Sequence, residues 1–342
     1  MRTRCDRWLR CGLAPAFVML GLACGTGGGV DPGTDAATDA IPETGADAPL
    51  ETADDGAFDV IGDVAPDIPL DVSIPPVLGG ARPAALYVPD DYDPARAWPL
   101  VLLLHGYGTS GFMVAAHFGA VERVTSQGFV LLAPEGSLDA DGKQFWNASA
   151  SCCDFDGSGV DDVGYLRSLI GEARQVLNID AGRVYLLGYS NGAFLAQRMA
   201  CDASDVVTGI GALAGSIATG FACTPARPVS ILSIHGTADD TIPFAGGAFM
   251  GLAEFVGADA LVGGWKVRNG CSQPAAPAAA PRDCDITVDG AETTNSGWSG
   301  CDRGTRVDLW TLAGSGHAPL FTEDCKDAIL DHLLSMGRTG EP

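Results

Sequence analysis

Seven short apolar segments, each bounded by turn-forming residues, divide the chain beyond residue 80. They are rich in leucine and β-branched side chains, and they do not alternate apolar with polar positions as a half-exposed strand would. The seven segments are residues 84–88, 100–104, 129–133, 184–188, 207–213, 229–234 and 306–312. Their pattern predicts β-strands that are covered on both faces of a sheet.

Between these segments, apolar residues recur with the spacing of an α-helix. The longest pattern spans about residues 161–178, and Asp161 and Asp162 stand at its start, where a carboxylate caps free backbone N–H groups. Its apolar stripe consists of Val163, Leu166, Ile170, Ala173 and Leu177. Further helices are predicted near residues 112–126, 191–201 and 322–336. The alternation of strands and helices predicts an α/β fold with a mostly parallel central sheet and helices on both faces.

The composition limits what this chain can do. Of its 342 residues, 46% are hydrophobic and 18% are charged, which excludes wholesale disorder because there is ample apolar material for a core. The net charge is −23, so the chain repels phosphate backbones, and we expect no nucleic acid among its partners. Eleven cysteines are too many for a typical reduced cytosolic enzyme and indicate an oxidising compartment.

Residues 1–24 have the features of an export signal. Four arginines accompany an apolar stretch, residues 11–24, that is too short to span a bilayer as a mature helix. Its end resembles a bacterial lipobox in which Cys24 is acylated, although Gly21 stands where a lipobox usually has leucine. With Cys24 acylated, eight other cysteines remain, an even number that can pair completely. The sequence therefore predicts an extracytoplasmic protein with a lipid anchor as its only membrane contact, and ordinary secretion with a free Cys24 stays open.

Residues 25–75 differ from the rest of the chain. They contain twelve acidic residues and no lysine or arginine, and eleven of the acids recur at every fourth position from Asp31 to Asp71. On a helix this spacing would stack like charges, and prolines would interrupt the helix as well. We therefore expect an acidic, disordered linker here, followed by a catalytic domain over residues 76–342.

The sharpest chemical signal is the sequence GYSNG at residues 188–192, which matches the pattern Gly-x-Ser-x-Gly. It follows the predicted strand 184–188 and opens the predicted helix 191–201. A serine on a strained turn between a strand and a helix needs small neighbours, and its hydroxyl is presented as a nucleophile. The five residues alone would fit a coincidental turn equally well, but the flanking elements favour Ser190 as a nucleophile.

An acid and a histidine follow Ser190 in the order that an α/β-hydrolase requires. Asp239 comes after the predicted strand 229–234, where its carboxylate can orient an imidazole ring. His317 lies in a glycine-rich loop after the predicted strand 306–312, where it can act as general base and then as general acid. The remaining histidines are interpreted as structural or surface residues: His105, His117, His235 and His332.

The loop after the predicted strand 100–104 is the candidate for half of an oxyanion hole. An ester transition state needs two N–H donors directed at the developing negative oxygen. The backbone amide of Asn191, directly after the nucleophile, is one expected donor. The second is expected from the loop, at the amide of Tyr107 or, as the weaker alternative, of Gly108.

Together these segments resemble the polyhydroxybutyrate depolymerase and feruloyl esterase family of secreted α/β-hydrolases. The matching pieces are LLLHGYGTSG (102–111), FWNASASCCD (145–154), VDDVGYLRSLI (160–170), GYSNGAFLAQRMAC (188–201), HGTADDTIPF (235–244) and GSGHAP (314–319). The resemblance implies an α/β-hydrolase fold and a serine carboxylesterase whose triad is Ser190, Asp239 and His317. Asp239 is preferred to Asp240 because the family's HGTAD motif places its acid there. We expect no cofactor and no metal site, since the spacings Cys-x-x-Cys and His-x-x-x-His do not occur.

The substrate is indicated less sharply than the chemistry. Family members often have tryptophan and proline soon after the histidine, whereas here His317 is followed by Ala-Pro-Leu, and the cysteine-bounded stretch 271–301 also differs. We expect an ester substrate that can be polymeric, such as a polyhydroxyalkanoate or a plant polysaccharide ester. A serine peptidase on the same fold and a catalytically inactive surface binding protein stay open as alternatives, as does the oligomeric state.

Eight cysteines follow the linker, and we expect them to form disulfides. Cys152 and Cys153 are adjacent, so bonds to separate partners are expected on geometric grounds. Cys201 and Cys223 are the one pair that we assign, because they flank the predicted strand 207–213.

Overall fold

The computed structural model describes residues 74–275 and 280–339. The predicted export signal at residues 1–24, with the predicted lipidation site Cys24, lies outside these ranges and stays a prediction. The same holds for the predicted linker 25–75, apart from its last two residues. Within the described ranges, every helix is too short or too polar to serve as a membrane-spanning segment.

The strands of the described residues form one large sheet and two small hairpins. The sheet strands are β1 Val77–Leu78, β2 Ala84–Tyr87, β3 Trp98–Leu104, β4 Val130–Pro134, β7 Ile179–Tyr189, β8 Gly209–Leu213, β9 Ser230–Gly236, β12 Gln273–Pro274, β13 Thr293–Ser299 and β14 Val307–Leu312. The hairpin strands are β5 Ser137–Leu138 with β6 Gln144–Phe145, and β10 Gly246–Ala248 with β11 Glu254–Val256. The order across the sheet is β1-β2-β4-β3-β7-β8-β9-β14-β13-β12.

The centre of this sheet is parallel and its edges are antiparallel. Strands β4, β3, β7, β8, β9 and β14 pair in parallel, each with its neighbour. At one edge β1 and β2 pair antiparallel, and at the other edge β13 and β12 do so. All seven strands expected from apolar segments are present, and the prediction of an α/β-hydrolase fold with a mostly parallel sheet is confirmed. Strand β13 lacks an apolar run, because it lies near the edge and carries threonine, serine, asparagine and glycine.

Six α-helices are found in the described residues. They are α1 Gly111–Phe118, α2 Val124–Gln127, α3 Asp162–Val176, α4 Asn191–Asp202, α5 Ala258–Arg268 and α6 Glu323–Leu334. The single helix expected near 112–126 is wrong: α1 ends at Phe118, and the following Gly119, whose φ of 55° is left-handed, closes the helix. A short 3₁₀ turn and α2 follow it. Helix α5 was not expected, since Gly263 and Gly264 interrupt its apolar spacing.

An apolar core covers each face of the sheet. Along β3, Leu100, Leu102 and Leu104 pack in the core that also holds apolar residues of α3, α4 and α5. The intervening Val101 and Leu103 pack in the core that holds those of α1 and α6. Every residue of β3 is buried, which explains why its sequence is continuously apolar.

The eight cysteines of the described part form four disulfides. The pairs are Cys152–Cys153, Cys201–Cys223, Cys271–Cys301 and Cys284–Cys325. The assigned pair Cys201–Cys223 is therefore present. The expectation that Cys152 and Cys153 bond to separate partners is wrong, because the fold pairs the other six among themselves and leaves these two buried together.

Candidate active site

The candidate catalytic residues lie at one edge of the sheet, because the strands that carry them are parallel. Ser190 directly follows β7, Asp239 comes three residues after β9, and His317 comes five residues after β14. The loop that begins at His105 leaves β3 at the same edge. The fold thus brings together the three side chains and the loop that the sequence indicated.

Ser190 stands on a strained turn between β7 and α4. Its φ of 52° and ψ of −118° form a combination that residues other than glycine rarely adopt and that costs about 1–3 kcal/mol. The Ser190 N–H donates to Leu213 O at 2.9 Å, and Ser190 O accepts the N–H groups of Ala193 and Phe194 at 2.9 and 3.1 Å. Hydrogen bonds to β8 and to the first turn of α4 therefore fix this turn.

The two glycines of the GYSNG motif permit close backbone contact around Ser190. A Cβ atom on Gly188 would lie 2.3 Å from Gly192 O, and a Cβ atom on Gly192 would lie 2.0 Å from Leu104 O. No side chain fits at either distance. The motif is therefore explained by packing of α4 against β7 and β3, as well as by the turn itself.

His317 lies between Ser190 and Asp239. Its Nε2 atom is 2.9 Å from Ser190 Oγ, and its Nδ1 atom is 2.8 Å from Asp239 Oδ2. Because an ionised carboxylate can only accept, Nδ1 carries a proton and Nε2 is left to accept the hydroxyl proton of Ser190. The ring packs against Tyr189 at 5.3 Å between centroids, and 16% of the His317 side chain is exposed.

Asp239 is buried and fully hydrogen-bonded. Its Oδ1 atom accepts the backbone N–H groups of Thr241 and Ile242 at 2.9 and 2.8 Å, so Oδ2 is left for His317. Burial alone would raise the pKa of Asp239, but hydrogen bonds from His235, His317 and the Ile242 amide outweigh it and hold the pKa well below its usual range. The carboxylate therefore stays ionised while it orients the imidazole.

His235 supports Asp239 from behind, in agreement with the structural role expected for it. Its Nε2 atom lies 2.7 Å from Ile242 O and 3.3 Å from Asp239 Oδ2, and the ring is buried. Asp240, by contrast, is exposed, and among the described residues its carboxylate contacts only the Thr241 hydroxyl, at 3.5 Å. The geometry therefore favours Asp239 over Asp240 as the partner of His317.

His117 and His332 pack away from any proton-transfer position. His117 stacks on Tyr189 at 5.4 Å, and burial lowers the pKa of His117 to about 4. His332 lies on α6, where its Nε2 atom is 3.1 Å from the buried carboxylate of Asp308. Both contacts agree with the packing roles that the sequence suggested.

His105 fixes the direction of the peptide between Gly106 and Tyr107. The N–H of Gly136 donates to His105 Nε2 at 2.9 Å, so the ring proton is on Nδ1, which donates to Gly106 O at 2.8 Å. Burial lowers the pKa of His105 to about 4, which keeps the ring neutral. Thr109 adds donors to Gly106 O from its N–H at 3.2 Å and its hydroxyl at 3.0 Å.

This arrangement leaves the Tyr107 N–H available. In a trans peptide the N–H points opposite to the C=O, so a carbonyl held at Gly106 directs the Tyr107 N–H the other way. The Tyr107 N–H makes no hydrogen bond to any described residue, whereas the Gly108 N–H donates to Gln144 O at 2.8 Å. The geometry therefore favours Tyr107 over Gly108 as a loop donor.

The β5–β6 hairpin holds the side chain of Tyr107. Tyr107 Oη donates to Asp139 Oδ2 at 2.5 Å, and Lys143 Nζ lies 5.5 Å from the ring centroid. Burial and the bond to Asp139 raise the pKa of Tyr107 to about 12. Sequence reasoning missed Asp139, because a contact between positions 32 apart leaves no local pattern.

Asn191 joins the nucleophile turn to the loop that contains Trp146. Its side chain accepts the Trp146 N–H at 2.7 Å and donates to Trp146 O at 2.9 Å. The indole N–H of Trp146 in turn donates to His105 O at 3.0 Å. The backbone N–H of Asn191, directly after Ser190, has no hydrogen-bond partner among the described residues, so it is available as a donor, as the Tyr107 N–H is.

Comparisons with known proteins agree with this fold. Residues 92–252 match a family model described as phospholipase/carboxylesterase. Feruloyl esterase B of Piromyces equi is 26% identical over 245 residues, which cover 69% of this chain and 42% of that protein. The bifunctional acetylxylan esterase/xylanase XynS20E of Neocallimastix patriciarum is 26% identical over 244 residues, which cover 70% of this chain and 31% of that protein. The chain thus spans less than half the length of these two relatives.

One solved structure shows the same fold. An acetyl xylan esterase from Aspergillus awamori superposes with a TM-score of 0.50 at 13% identity. The match covers 74% of this chain and 94% of that chain. At this identity the likeness bears on the fold alone.

Proposed function

We propose that this chain, which resembles the feruloyl esterases and has an α/β-hydrolase fold, is an extracytoplasmic serine carboxylic ester hydrolase. The observation that carries the proposal is the chain of contacts from Ser190 Oγ to His317 Nε2 at 2.9 Å and from His317 Nδ1 to Asp239 Oδ2 at 2.8 Å. In this proposal Ser190 is the nucleophile, His317 the general base and acid, and Asp239 the residue that orients His317.

Acylation begins when Ser190 Oγ attacks the ester carbonyl carbon. His317 Nε2 takes the hydroxyl proton as the bond forms, and the carbonyl π electrons move to the oxygen. The N–H groups of Tyr107 and Asn191 stabilise this oxyanion, at about 3–4 kcal/mol for each donor. When the tetrahedral intermediate collapses, His317 gives its proton to the departing alkoxide, and an acyl-Ser190 ester remains.

Deacylation repeats these steps with water. His317 Nε2 removes a proton from the attacking water, and the oxyanion forms again between the same two amides. Collapse breaks the bond between the acyl carbon and Ser190 Oγ, releases the carboxylic acid and returns the proton from His317 to Ser190 Oγ. Asp239 stays ionised throughout, because its pKa lies well below the usual range of a carboxyl group. The imidazolium that forms in each half-reaction is therefore always next to a negative charge.

The cellular setting belongs to the same proposal. Four disulfides in the described part support an oxidising compartment. A lipid on Cys24 and an acidic linker over 25–75 would place the catalytic domain away from a membrane surface. Polymeric esters, either a polyhydroxyalkanoate or an esterified plant polysaccharide, are the proposed substrates of an enzyme displayed in this way.

The experiment compares the full chain, folded under oxidising conditions, with Ser190→Ala and with Ser168→Ala. Ser168 is an exposed serine on α3 that bonds only to Gly164 O, so it is a matched control. Rates are measured on p-nitrophenyl butyrate, methyl ferulate and a polyhydroxybutyrate suspension. We expect Ser190→Ala to lose at least about 10⁴-fold in kcat and Ser168→Ala to keep the wild-type rate.

Each outcome has a distinct meaning. The ester that is cleaved fastest by the wild type selects the substrate class. Full activity of folded Ser190→Ala would refute the assignment of Ser190 as the nucleophile. Cleavage of amide but not ester substrates would favour a serine peptidase, and failure of folded wild type to react with a fluorophosphonate probe would favour a binding protein.

A further inference from the structure

The segment from Cys284 to Thr287, called the strap below, runs beside the loop that carries His317. Thr322 N–H donates to Cys284 O at 2.9 Å, and Ile286 N–H donates to Leu320 O at 3.0 Å. The disulfide Cys284–Cys325 ties the strap to the first turn of α6. The strap is therefore joined, by hydrogen bonds and by a covalent bond, to the chain that follows His317.

Asp285, in the strap, is fully buried and faces this loop. Its Oδ1 atom accepts the N–H of Leu320 at 3.2 Å, the N–H of Thr287 at 3.0 Å and the Thr287 hydroxyl at 2.8 Å. Burial would raise the pKa of Asp285, but hydrogen bonds from Thr287 and from the Leu320 amide outweigh it and lower the pKa. The carboxylate is therefore charged.

Ser315 and Leu320 lie on opposite sides of His317 in sequence. Ser315 comes two residues before it and Leu320 three residues after it. Ser315 is fully buried, and its hydroxyl and Asp285 Oδ2 both lack a hydrogen-bond partner among the described residues. The buried carboxylate of Asp285 thus holds the catalytic loop after its histidine, through the N–H of Leu320.

The loop needs such an anchor because it contains two glycines, which have more backbone freedom than other residues. Gly314 has a φ of 83°, and Gly316 has no neighbour within 4 Å of a Cβ position. The first half of the loop is held by the segment that follows β9 and carries Asp239, since Gly314 N–H donates to Thr237 Oγ1 at 2.8 Å. The second half is held by Asp285, which accepts the N–H of Leu320.

We propose that Asp285 is a positioning residue of the active site, which holds His317 at its distance from Ser190 by fixing the loop around the histidine. This inference rests on the proposed function, in which His317 transfers the proton. A displacement of about 1 Å at a reacting group can cost about 10²-fold in rate. Asp285 touches neither substrate nor the reacting atoms, so it acts only through the loop.

The test uses Asp285→Ala, Asp285→Asn and a control, Asp308→Asn, in the full oxidised chain. Asparagine keeps an oxygen for Leu320 and Thr287, so it serves as the conservative variant. Asp308 is an equally buried acid on β14 whose carboxylate bonds to His332 and Arg306 and, within the described residues, makes no hydrogen bond to the His317 loop. We expect kcat per folded molecule to fall about 30- to 100-fold in Asp285→Ala and about 3- to 10-fold in Asp285→Asn, with KM changed less than about threefold. Asp308→Asn should stay within about twofold.

A second measurement reads the loop without any substrate. The His317 Nδ1 proton, hydrogen-bonded to Asp239, gives a downfield proton NMR signal, which we expect to broaden or vanish in Asp285→Ala and to persist in Asp308→Asn. A wild-type kcat and an unchanged signal in folded Asp285→Ala would overturn the inference, and so would an equal loss in Asp308→Asn. Absence of Ser190-dependent esterase activity in the wild type would refute the proposed function instead, and the NMR signal would still decide the role of Asp285.

Discussion

The replacement Asp239→Asn tests the proposed triad through the position of one proton, the ring proton of His317. Oδ1 of Asp239 accepts two backbone N–H groups, from Thr241 and Ile242, at 2.9 and 2.8 Å. The amide oxygen of asparagine must take this position, because an NH₂ group there would face two donors. The NH₂ group must then take the position of Oδ2, which lies 2.8 Å from His317 Nδ1.

The consequence is a change of tautomer in His317. An NH₂ donor next to Nδ1 favours the ring whose Nδ1 is bare and whose Nε2 carries the proton. In that tautomer Nε2 cannot accept the Ser190 proton, so we expect kcat to fall about 10⁴-fold, which corresponds to about 5.5 kcal/mol. The same NH₂ group also meets the Nε2 donor of His235, 3.3 Å from Oδ2, so the free energy of unfolding should fall by about 1–3 kcal/mol.

The assay is the steady-state rate on p-nitrophenyl butyrate at pH 8, with urea unfolding measured on the same samples. The matched control is Asp240→Asn, since Asp240 is the adjacent carboxylate and is exposed. We expect that control to keep at least half of the wild-type kcat. If folded Asp239→Asn kept more than a tenth of the wild-type kcat, or if Asp240→Asn lost as much, the assignment of Asp239 would be refuted.

Three further predictions follow from the site and its supports. Tyr107→Phe should keep kcat within about threefold, because the proposed oxyanion donor is the backbone N–H and not the hydroxyl that bonds to Asp139; a 100-fold loss in the ester assay would contradict this. Burial lowers the pKa of His105 to about 4 from 6.5, so between these values the unfolded chain binds a proton that the folded chain does not. The free energy of unfolding should therefore drop by about 1.4 kcal/mol per pH unit from this group as pH falls, and urea titrations at pH 7.5, 5.5 and 4.5 that gave equal stability would refute it. Removal of the Cys284–Cys325 bridge by double alanine substitution opens a loop with a sequence separation of 41 residues and should cost about 4 kcal/mol in urea unfolding, whereas an unchanged midpoint would show that the bridge does not stabilise the domain.

Several features of the site follow from local sequence, because each is built within one strand, turn or helix. The turn at Ser190 joins β7 to α4 and carries two glycines, and all of these are adjacent in the chain, so the sequence shows the motif directly. The placement of Asp239 and His317 needs only that each follow a buried parallel strand, since the ends of such strands meet at one edge of the sheet. The apolar segments revealed those strands because the helices cover both faces.

Other features depended on which distant segments meet. The polar strand β13 forms by pairing with β14, and its own residues give no apolar signal. Cys152 and Cys153 bond to each other because the fold gives every other cysteine of the described part a different neighbour. The hydrogen bond from the Tyr107 hydroxyl to Asp139 likewise links residues that share no local sequence pattern.

The sequence by itself thus determined the identity of the candidate triad, the order in which its members follow strands along the chain, and the turn that carries the candidate nucleophile. Periodicity and short motifs encode this local geometry directly. Only the tertiary structure decided what holds that chemistry in place: the peptide direction at Tyr107 and the contact of Asp285 with the His317 loop. The hydrogen bonds from Gly136 to His105 and from Leu320 to Asp285 join residues 31 and 35 positions apart, and their energy depends on the packed distance between them rather than on any spacing along the chain.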